Sequence, residues 1–198
     1  MTARYIAAVT ALVALALAPA VVYWYAVWMQ STLRRMAVST IATLNEYGVH
    51  YWADYGTLLG IVRDDDIILS DFDVDICIAD DRATHGLING PVRRRLESLG
   101  CSLERVNPRM YRVYLFRKWH GFRLHADLYL TERRGDTIVG PNGPNSDIAS
   151  SLVGTPRVFK WRRCGLDVKV PERVHETLVW RYGRDYTTPR PFFKGRDS

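Results

Sequence analysis

The sequence predicts an α+β domain, a mixed β-sheet flanked by helices, preceded by one N-terminal transmembrane helix. Three observations predict it. Ile6 to Met29 is a 24-residue stretch without a charge. Several short segments read as strands, with Tyr111, Val113 and Leu115 alternating with Arg112, Tyr114 and Phe116. Helical periods interrupt those segments, which gives an α+β order rather than a strict βαβ one. At 198 residues the chain fits one ordinary domain plus an appendage.

The N-terminal segment is long enough to cross a bilayer, since a helix of about 20 residues spans the hydrocarbon core. Tyr23, Trp24, Tyr25 and Trp28 gather at its far end, where amphipathic rings suit the headgroup level, and Arg34 and Arg35 follow. Pro19 kinks such a helix without excluding it from a membrane. A cleaved signal peptide is the rival reading, with Arg4, an apolar run Ile6–Leu17 and the small residues of Ala18-Pro19-Ala20. Cleavage there would leave a further apolar, aromatic stretch at the new terminus. Orientation stays undecided, because Arg4 and the terminal amine face Arg34 and Arg35. The expected organisation is a signal anchor over 1–30, a juxtamembrane helix over 31–48, a catalytic domain over 49–191 and a tail over 192–198. The juxtamembrane helix presents Leu33, Met36, Ala37, Ile41 and Leu44 on one face.

Composition supports a packed core and argues against disorder, with 47% hydrophobic and 12% aromatic residues. The formal charge is +6, and 23 of the 27 basic residues are arginine. The longest basic block is Arg93-Arg94-Arg95, with no aromatic stripe beside it, so no nucleic-acid partner is expected. Cys77, Cys101 and Cys164 form no CxxC pair, which supports neither a disulfide scaffold nor a structural zinc site.

Within the domain, Val49–Tyr55 reads as a strand and Gly56-Thr57 opens a helical turn through Val62. Ile67–Leu69 and Val74–Ala79 are strand-like. Leu87–Leu99 has a helical period, with Pro91 near its start and Gly100 beyond its end. Ser102–Arg105, Tyr111–Trp119 and Arg123–Leu130 follow as strands. The turn-rich 140–145 loop leads to a hairpin, Val158–Trp161 and Leu166–Val170, and to a helix from Glu172 to Arg181.

The chemistry lies in Asp71-Phe72-Asp73-Val74-Asp75. Strand alternation puts Asp71, Asp73 and Asp75 on one face and Val74 and Ile76 on the other. Three carboxylates on one face repel one another unless a cation offsets them, and hard oxygen ligands suit Mg²⁺ or Mn²⁺. A calcium loop of EF-hand type fails, with Ile76 at its sixth position and Arg82 at its twelfth. A merely solvated sheet edge needs neither the alternation nor the upstream Gly-Thr. Gly56-Thr57 begins a helix, where free backbone N–H groups can receive a phosphate. Asp64, Asp65 and Asp66 lack alternation and read as a solvated turn.

This pairing of Gly-Thr with a D-x-D strand resembles the core of the nucleotidyltransferase superfamily, whose third carboxylate comes from a neighbouring strand. Asp127, in Leu124-His-Ala-Asp-Leu-Tyr-Leu130, has suitable surroundings to ligate the metal or accept a proton. The resemblance extends further. Asp54-Tyr-Gly-Thr-Leu-Leu-Gly-Ile-Val-Arg63 and Asp71-Phe-Asp-Val-Asp-Ile76 are similar, at the same separation, to the two leading blocks of the LicD/fukutin family. Ala126-Asp-Leu-Tyr129 is similar to that family's third-acid strand, and Gly165–Pro171, Leu178, Tyr182-Gly183, Tyr186 and Pro189 to its C-terminal pattern.

That resemblance implies a nucleotidyltransferase-like fold and a transferase. It would move phosphocholine or a ribitol-phosphate-type group from a CDP-linked donor to a glycan or glycoconjugate, releasing CMP. It implies Mg²⁺ or Mn²⁺ on Asp71, Asp73, Asp75 and Asp127, with Asp73, Asp75 and Asp127 catalytic. It also implies Gly56, Thr57, Arg63 and Arg112 around the phosphates. A single-pass membrane protein results, lumen-facing in the ER or Golgi if eukaryotic. Two other readings stay open: a nucleotidyltransferase attaching NMP to an acceptor, and a non-catalytic tethered cation-binding module. The chain departs from the family at Asp64–Asp66 and Ser70, where a basic His-Lys-Gly often stands, and at Phe72, where the family has an acid. Arg112, Arg117 and Arg123 are the cations available to compensate. His120 and His125 flank the Asp127 strand and are assigned hydrogen-bonding roles, with His125 the exception if there is one.

Overall fold

The computed structural model describes residues 2–115, 124–140 and 146–189; Arg117, His120, Arg123, the 141–145 turn and the 192–198 tail lie outside them. Helix α1 runs unbroken from Thr2 to Glu46, 45 residues and about 67 Å at 1.5 Å per residue. Where two helices are expected, one forms. The junction residues Ser31 and Thr32 do not break it, because their hydroxyls donate back to the Trp28 carbonyl at 2.8 and 2.9 Å. The two halves differ in surroundings. Leu12, Leu15, Leu17, Val21, Val22 and Trp24 stand exposed, whereas Leu33, Met36, Ala37, Ile41 and Leu44 are fully buried. Among the described residues, α1 is the helix long and apolar enough to cross a membrane.

The sheet holds seven strands: β1 (Tyr51–Ala53), β2 (Asp73–Ala79), β3 (Ser102–Asn107), β4 (Met110–Tyr114), β5 (His125–Arg134), β6 (Thr137–Val139) and β7 (Ile148–Ala149). The main order is β1-β2-β5-β4-β3, with β6 on the far part of β5 and β7 on β6. Strands β2 and β5 are parallel and the other pairs antiparallel, so the sheet is mixed, as predicted. β2 is buried on its Val74, Ile76 and Ile78 face. A separate hairpin, β8 (Arg157–Trp161) and β9 (Leu166–Val170), matches the sequence reading closely. Helix α2 (Tyr55–Asp64) packs on β2 and on the C-terminal α6 (Val174–Tyr182). α1 lies against β2, β4 and β5. Helices α3 (Arg82–Leu87) and α4 (Arg93–Ser98) are joined by a π-helical turn at Ile88–Val92 containing Gly90 and Pro91. This helical stretch starts five residues before the apolar period does, because Asp81 caps it by accepting the Thr84 N–H at 2.7 Å.

Two expectations are corrected. Ile67–Leu69 is a loop rather than a strand: Ile67 is buried, Leu69 is exposed, and neither pairs in a ladder. Of Asp64–Asp66, only Asp64, the last residue of α2, stays exposed; Asp65 and Asp66 are not a solvated turn. Asp65 ends α2 in the left-handed conformation (φ 53), and its carboxylate accepts the backbone N–H groups of Arg162 and Arg163, both at 3.1 Å. Asp66, 6% exposed, takes both ends of the Arg34 guanidinium at 2.7 and 2.5 Å, and Arg163 Nε lies 3.1 Å away. Buried carboxylates need such partners, and a local sequence pattern does not reveal partners so far along the chain. Strands β6 and β7 and the short α5 (Ser150–Val153) are likewise absent from the sequence reading.

Candidate active site

The site forms where β1 hands over to α2, beside the parallel pair β2–β5. Asp54, fully buried, caps α2 by accepting the Tyr55 N–H at 2.8 Å. Tyr55 itself adopts φ 47, a conformation that costs a bulky residue about 1–3 kcal/mol and persists only when its surroundings enforce it. Those surroundings are an Arg181 guanidinium 4.1 Å above its ring and the Tyr129 ring edge-on at 5.9 Å. At Gly56 a Cβ would stand 2.7 Å from Asp71 Oδ2, so only glycine lets that carboxylate approach the helix start. Thr57 is buried, and its hydroxyl accepts the Asp75 backbone N–H at 2.8 Å. The Gly-Thr pair therefore fastens the acidic strand to α2.

Sheet register assembles the acids. On β2 and β5, Asp73 stands opposite His125 and Asp75 opposite Asp127; on β4, Arg112 stands opposite Asp127. Alternation places His125, Asp127 and Tyr129 on one face of β5, while Ala126, Leu128 and Leu130 are fully buried in the core. Arg112 grips Asp127 through both oxygens at 2.6 and 3.2 Å. The Tyr129 hydroxyl lies 3.2 Å from Asp75 Oδ1 and 3.1 Å from Asp127 Oδ2, bridging them with a single proton. Donor atoms of Asp73, His125 and Asp127 lie within 4.8 Å of one another.

Burial and mutual repulsion raise the proton affinity of Asp71, Asp73 and Asp75. Burial pushes Asp71 up to about 7, helped by the Asp73 charge and opposed by Arg63. Asp73 is raised by burial and by Asp127, against His125 and Arg112. Asp75 is raised well above the usual range by burial, then by Asp73, Asp71 and Asp127. A set of hard oxygens with one imidazole, short of positive charge, fits a divalent cation. The sign of the pH effect follows. An acid whose folded pKa exceeds its unfolded value contributes full stability below about pH 4 and loses it as pH rises through the folded pKa. The metal-free Tm is expected to fall as pH rises from 5 through 7, the window the Asp71 shift sets. Mn²⁺ or Mg²⁺ is expected to raise Tm more at pH 8 than at pH 5, because the cation competes with protons for these oxygens. Differential scanning fluorimetry of the detergent-solubilised chain checks both; a metal-induced shift independent of pH would contradict this reading of the acids.

Asp73, Asp75 and Asp127 come together. Asp71 lies closer to Gly56. Arg112 is in the site but engaged with Asp127, and Arg63 holds Asp64 through two contacts at 2.8 and 2.6 Å. Two positions of this candidate site escaped the sequence reading. Tyr129 carried a signal, two residues beyond Asp127 and therefore on its face. Arg181 carried none: it pairs with Asp54 at 3.1 and 2.8 Å across 127 residues of chain, 8% exposed, and donates to the Ser146 carbonyl at 3.0 Å.

With this geometry in view, comparison with known proteins gives a family match. The model described as LicD/FKTN/FKRP, nucleotidyltransferase domain, matches residues 48–147, half of the chain. No curated protein matches the chain in sequence. Among solved structures, it is similar to ANT(2")-Ia in complex with adenylyl-2"-tobramycin, at 11% identity and TM-score 0.39, covering 68% of this chain and 66% of that one. A solution structure of the antibiotic-resistance factor ANT(2'')-Ia aligns at 13% identity and TM-score 0.43, over 74% and 69%. The STING-associated CdnE c-di-GMP synthase from Capnocytophaga granulosa aligns at 14% identity and TM-score 0.35, over 80% and 49%. The chain thus spans just under two thirds of the first of these structures and about half of the third.

Proposed function

The chain belongs to the LicD/FKTN/FKRP family of nucleotidyltransferase domains, and from that premise we propose that it transfers a phospho-alcohol from a CDP-linked donor to a glycan or glycoconjugate at a membrane. Its general type, a phosphotransferase or nucleotidyltransferase, follows from the family. The observation that carries the finer reading is the β2–β5 register, which gathers Asp73, Asp75, His125 and Asp127 beside the Gly56-Thr57 turn. Asp73, Asp75, Asp127 and His125 are the residues that would hold a divalent cation, with Asp71 in support. When bound, that cation supplies positive charge against the donor diphosphate, which phosphoryl transfer mainly requires.

The acceptor hydroxyl attacks the phosphorus bearing the alcohol. The bond from that phosphorus to the CMP phosphate oxygen breaks, and CMP leaves with the electron pair. The hydroxyl proton passes to Asp127, which Arg112 and Tyr129 hold in a fixed orientation. Arg63, which holds Asp64 through two contacts and whose charge acts on Asp71, is the cation offered to the donor's charge. α1 tethers this chemistry to the bilayer.

The test uses the full chain in detergent with Mg²⁺ or Mn²⁺ and CDP-choline or CDP-ribitol. CMP release is the expected result. No CMP from any CDP-linked donor overturns the reading, and diphosphate released from CTP assigns NMP transfer instead. Because an imidazole joins the carboxylates, Mn²⁺ is expected to bind more tightly than Mg²⁺. Pulsed EPR of the Mn²⁺-loaded protein is expected to show a nitrogen coupling that disappears in His125→Gln, with Mn²⁺ affinity falling roughly tenfold. Unchanged affinity and no nitrogen coupling would remove His125 from the ligand set.

A further inference from the structure

The loop between α2 and β2 is fastened to α1 and then reaches the apolar stretch of that helix. The Asp66 carboxylate holds Arg34, and the Gln30 side-chain amide donates to the Ile67 carbonyl at 2.5 Å. From the other side, Trp161 Nε1 donates to the Asp65 carbonyl at 3.0 Å. The departures at Asp65 and Asp66 thus become the anchors of this loop. Beyond them Leu69 reaches the apolar stretch of α1, where it closes one side of a groove that runs along the helix from Leu15 and Ala18 through Pro19 and Val22 to Tyr23 and Ala26. These are residues of the apolar stretch itself, at and before the aromatic cluster that ends with Trp28. Leu69 is 38% exposed, an apolar side chain turned outward on a loop that otherwise buries Ile67.

We propose that this loop is a second membrane contact, with Leu69 immersed in lipid at the headgroup boundary beside Tyr23 and Ala26. The inference rests on the reading of α1 as a membrane span. The occupant of the groove is lipid, because the groove is continuous with the exposed apolar surface of α1 and its lining is apolar. Side chains at the depth of Tyr23 to Trp28 occupy the interfacial belt, where an isolated leucine gains by leaving water. Two features make the placement fixed rather than incidental. α1 passes without a break from that belt into the core at Leu33 and Met36, so the domain has no hinge on which to swing away. The loop leads directly into the acidic strand: at no more than about 3.5 Å per residue, Asp73 lies within about 14 Å of Leu69. The reacting centre therefore opens close to the headgroup plane, at a height suited to an acceptor carried on the membrane.

The test places an environment-sensitive fluorophore at Leu69→Cys in a Cys164→Ser background, the full chain being reconstituted in phosphatidylcholine–phosphatidylglycerol vesicles. Matching labels at Val22→Cys in α1 and Val106→Cys on β3, 45% exposed, mark the two limits. The expected result is quenching of the 69 label by a lipid-chain nitroxide and protection from aqueous iodide, as at position 22 and opposite to position 106. Iodide quenching at 69 with lipid quenching at 22 overturns the loop contact and leaves the span intact. Iodide quenching at both overturns the span reading and the loop contact with it. Protection at 69 from both quenchers, concentration-dependent and lost on dilution, assigns the groove to a second copy of the chain and overturns the lipid contact.

Discussion

Asp75→Asn is expected to lower CMP release on the order of 10³-fold, about 4 kcal/mol of transition-state stabilisation, while making the metal-free protein more stable at pH 8. Both effects have one cause. Asp75 is held among Asp73, Asp71 and Asp127 with its carboxyl raised far above the usual range, so its charge is a cost in the absence of a cation. The amide keeps an oxygen to accept from the Tyr129 hydroxyl, now 3.2 Å from Asp75 Oδ1, so shape and local hydrogen bonding persist. Removing one carboxylate relieves repulsion and removes affinity for the metal, the usual opposition between stability and activity at a charged site. Asp73→Asn is expected to behave alike, and Asp71→Asn to lose less activity because its carboxylate sits against Gly56. Steady-state CMP release and Tm, measured on the same preparation, check the pair of effects. Loss of activity together with a lower Tm would mean that Asp75 supports the fold and not the chemistry.

Arg181→Met is expected to cost about 3–5 kcal/mol, because it leaves the fully buried Asp54 carboxylate without its charge partner, with the neutral Tyr55 N–H and Trp52 Nε1 donors remaining. For a chain of this size that corresponds to a Tm lower by roughly 6–20 °C. The guanidinium also lies over the Tyr55 ring, where the backbone is held at φ 47, so the start of α2 loses its clamp as well. The double variant Asp54→Asn/Arg181→Met removes the orphaned charge and is expected to recover much of the Tm. Activity is expected to stay low in the double variant, since Gly56-Thr57 would no longer be held against Asp71 and Asp75. Recovery of both Tm and CMP release would show the pair to be structural only. This link ties α6, beyond the segment matched by the family model, to the start of α2 just before Gly56-Thr57.

Several of these features could be read before any coordinates. Strand alternation alone puts Asp71, Asp73 and Asp75 on one side of β2, because successive side chains point to opposite faces whatever the strand packs against. The uncharged stretch from Ile6 to Met29, with Thr10 its clear polar interruption, is long and apolar enough to be read as a helix, and Gly100 is readable as the stop after α4. The partnerships were a different matter. That Asp127 stands opposite Asp75 depends on β2 and β5 pairing in parallel, and that Arg112 neutralises it depends on β4 lying on the other side. Asp65 and Asp66 looked like solvated charge because their partners, Arg34 on one side and Arg162 and Arg163 on the other, lie about 30 residues upstream and about 100 downstream.

The sequence by itself determined the apolar N-terminal helix, the acidic strand and its spacing from Gly56-Thr57, since each is a property of neighbours along the chain. Only the tertiary structure decided that α1 is one helix from Thr2 into the core. It alone decided that Arg181 clamps Asp54, and that Tyr129 and His125 join the acids. Local backbone geometry fixes which way a side chain points; what it meets there is set by long-range packing, which no window along the sequence contains.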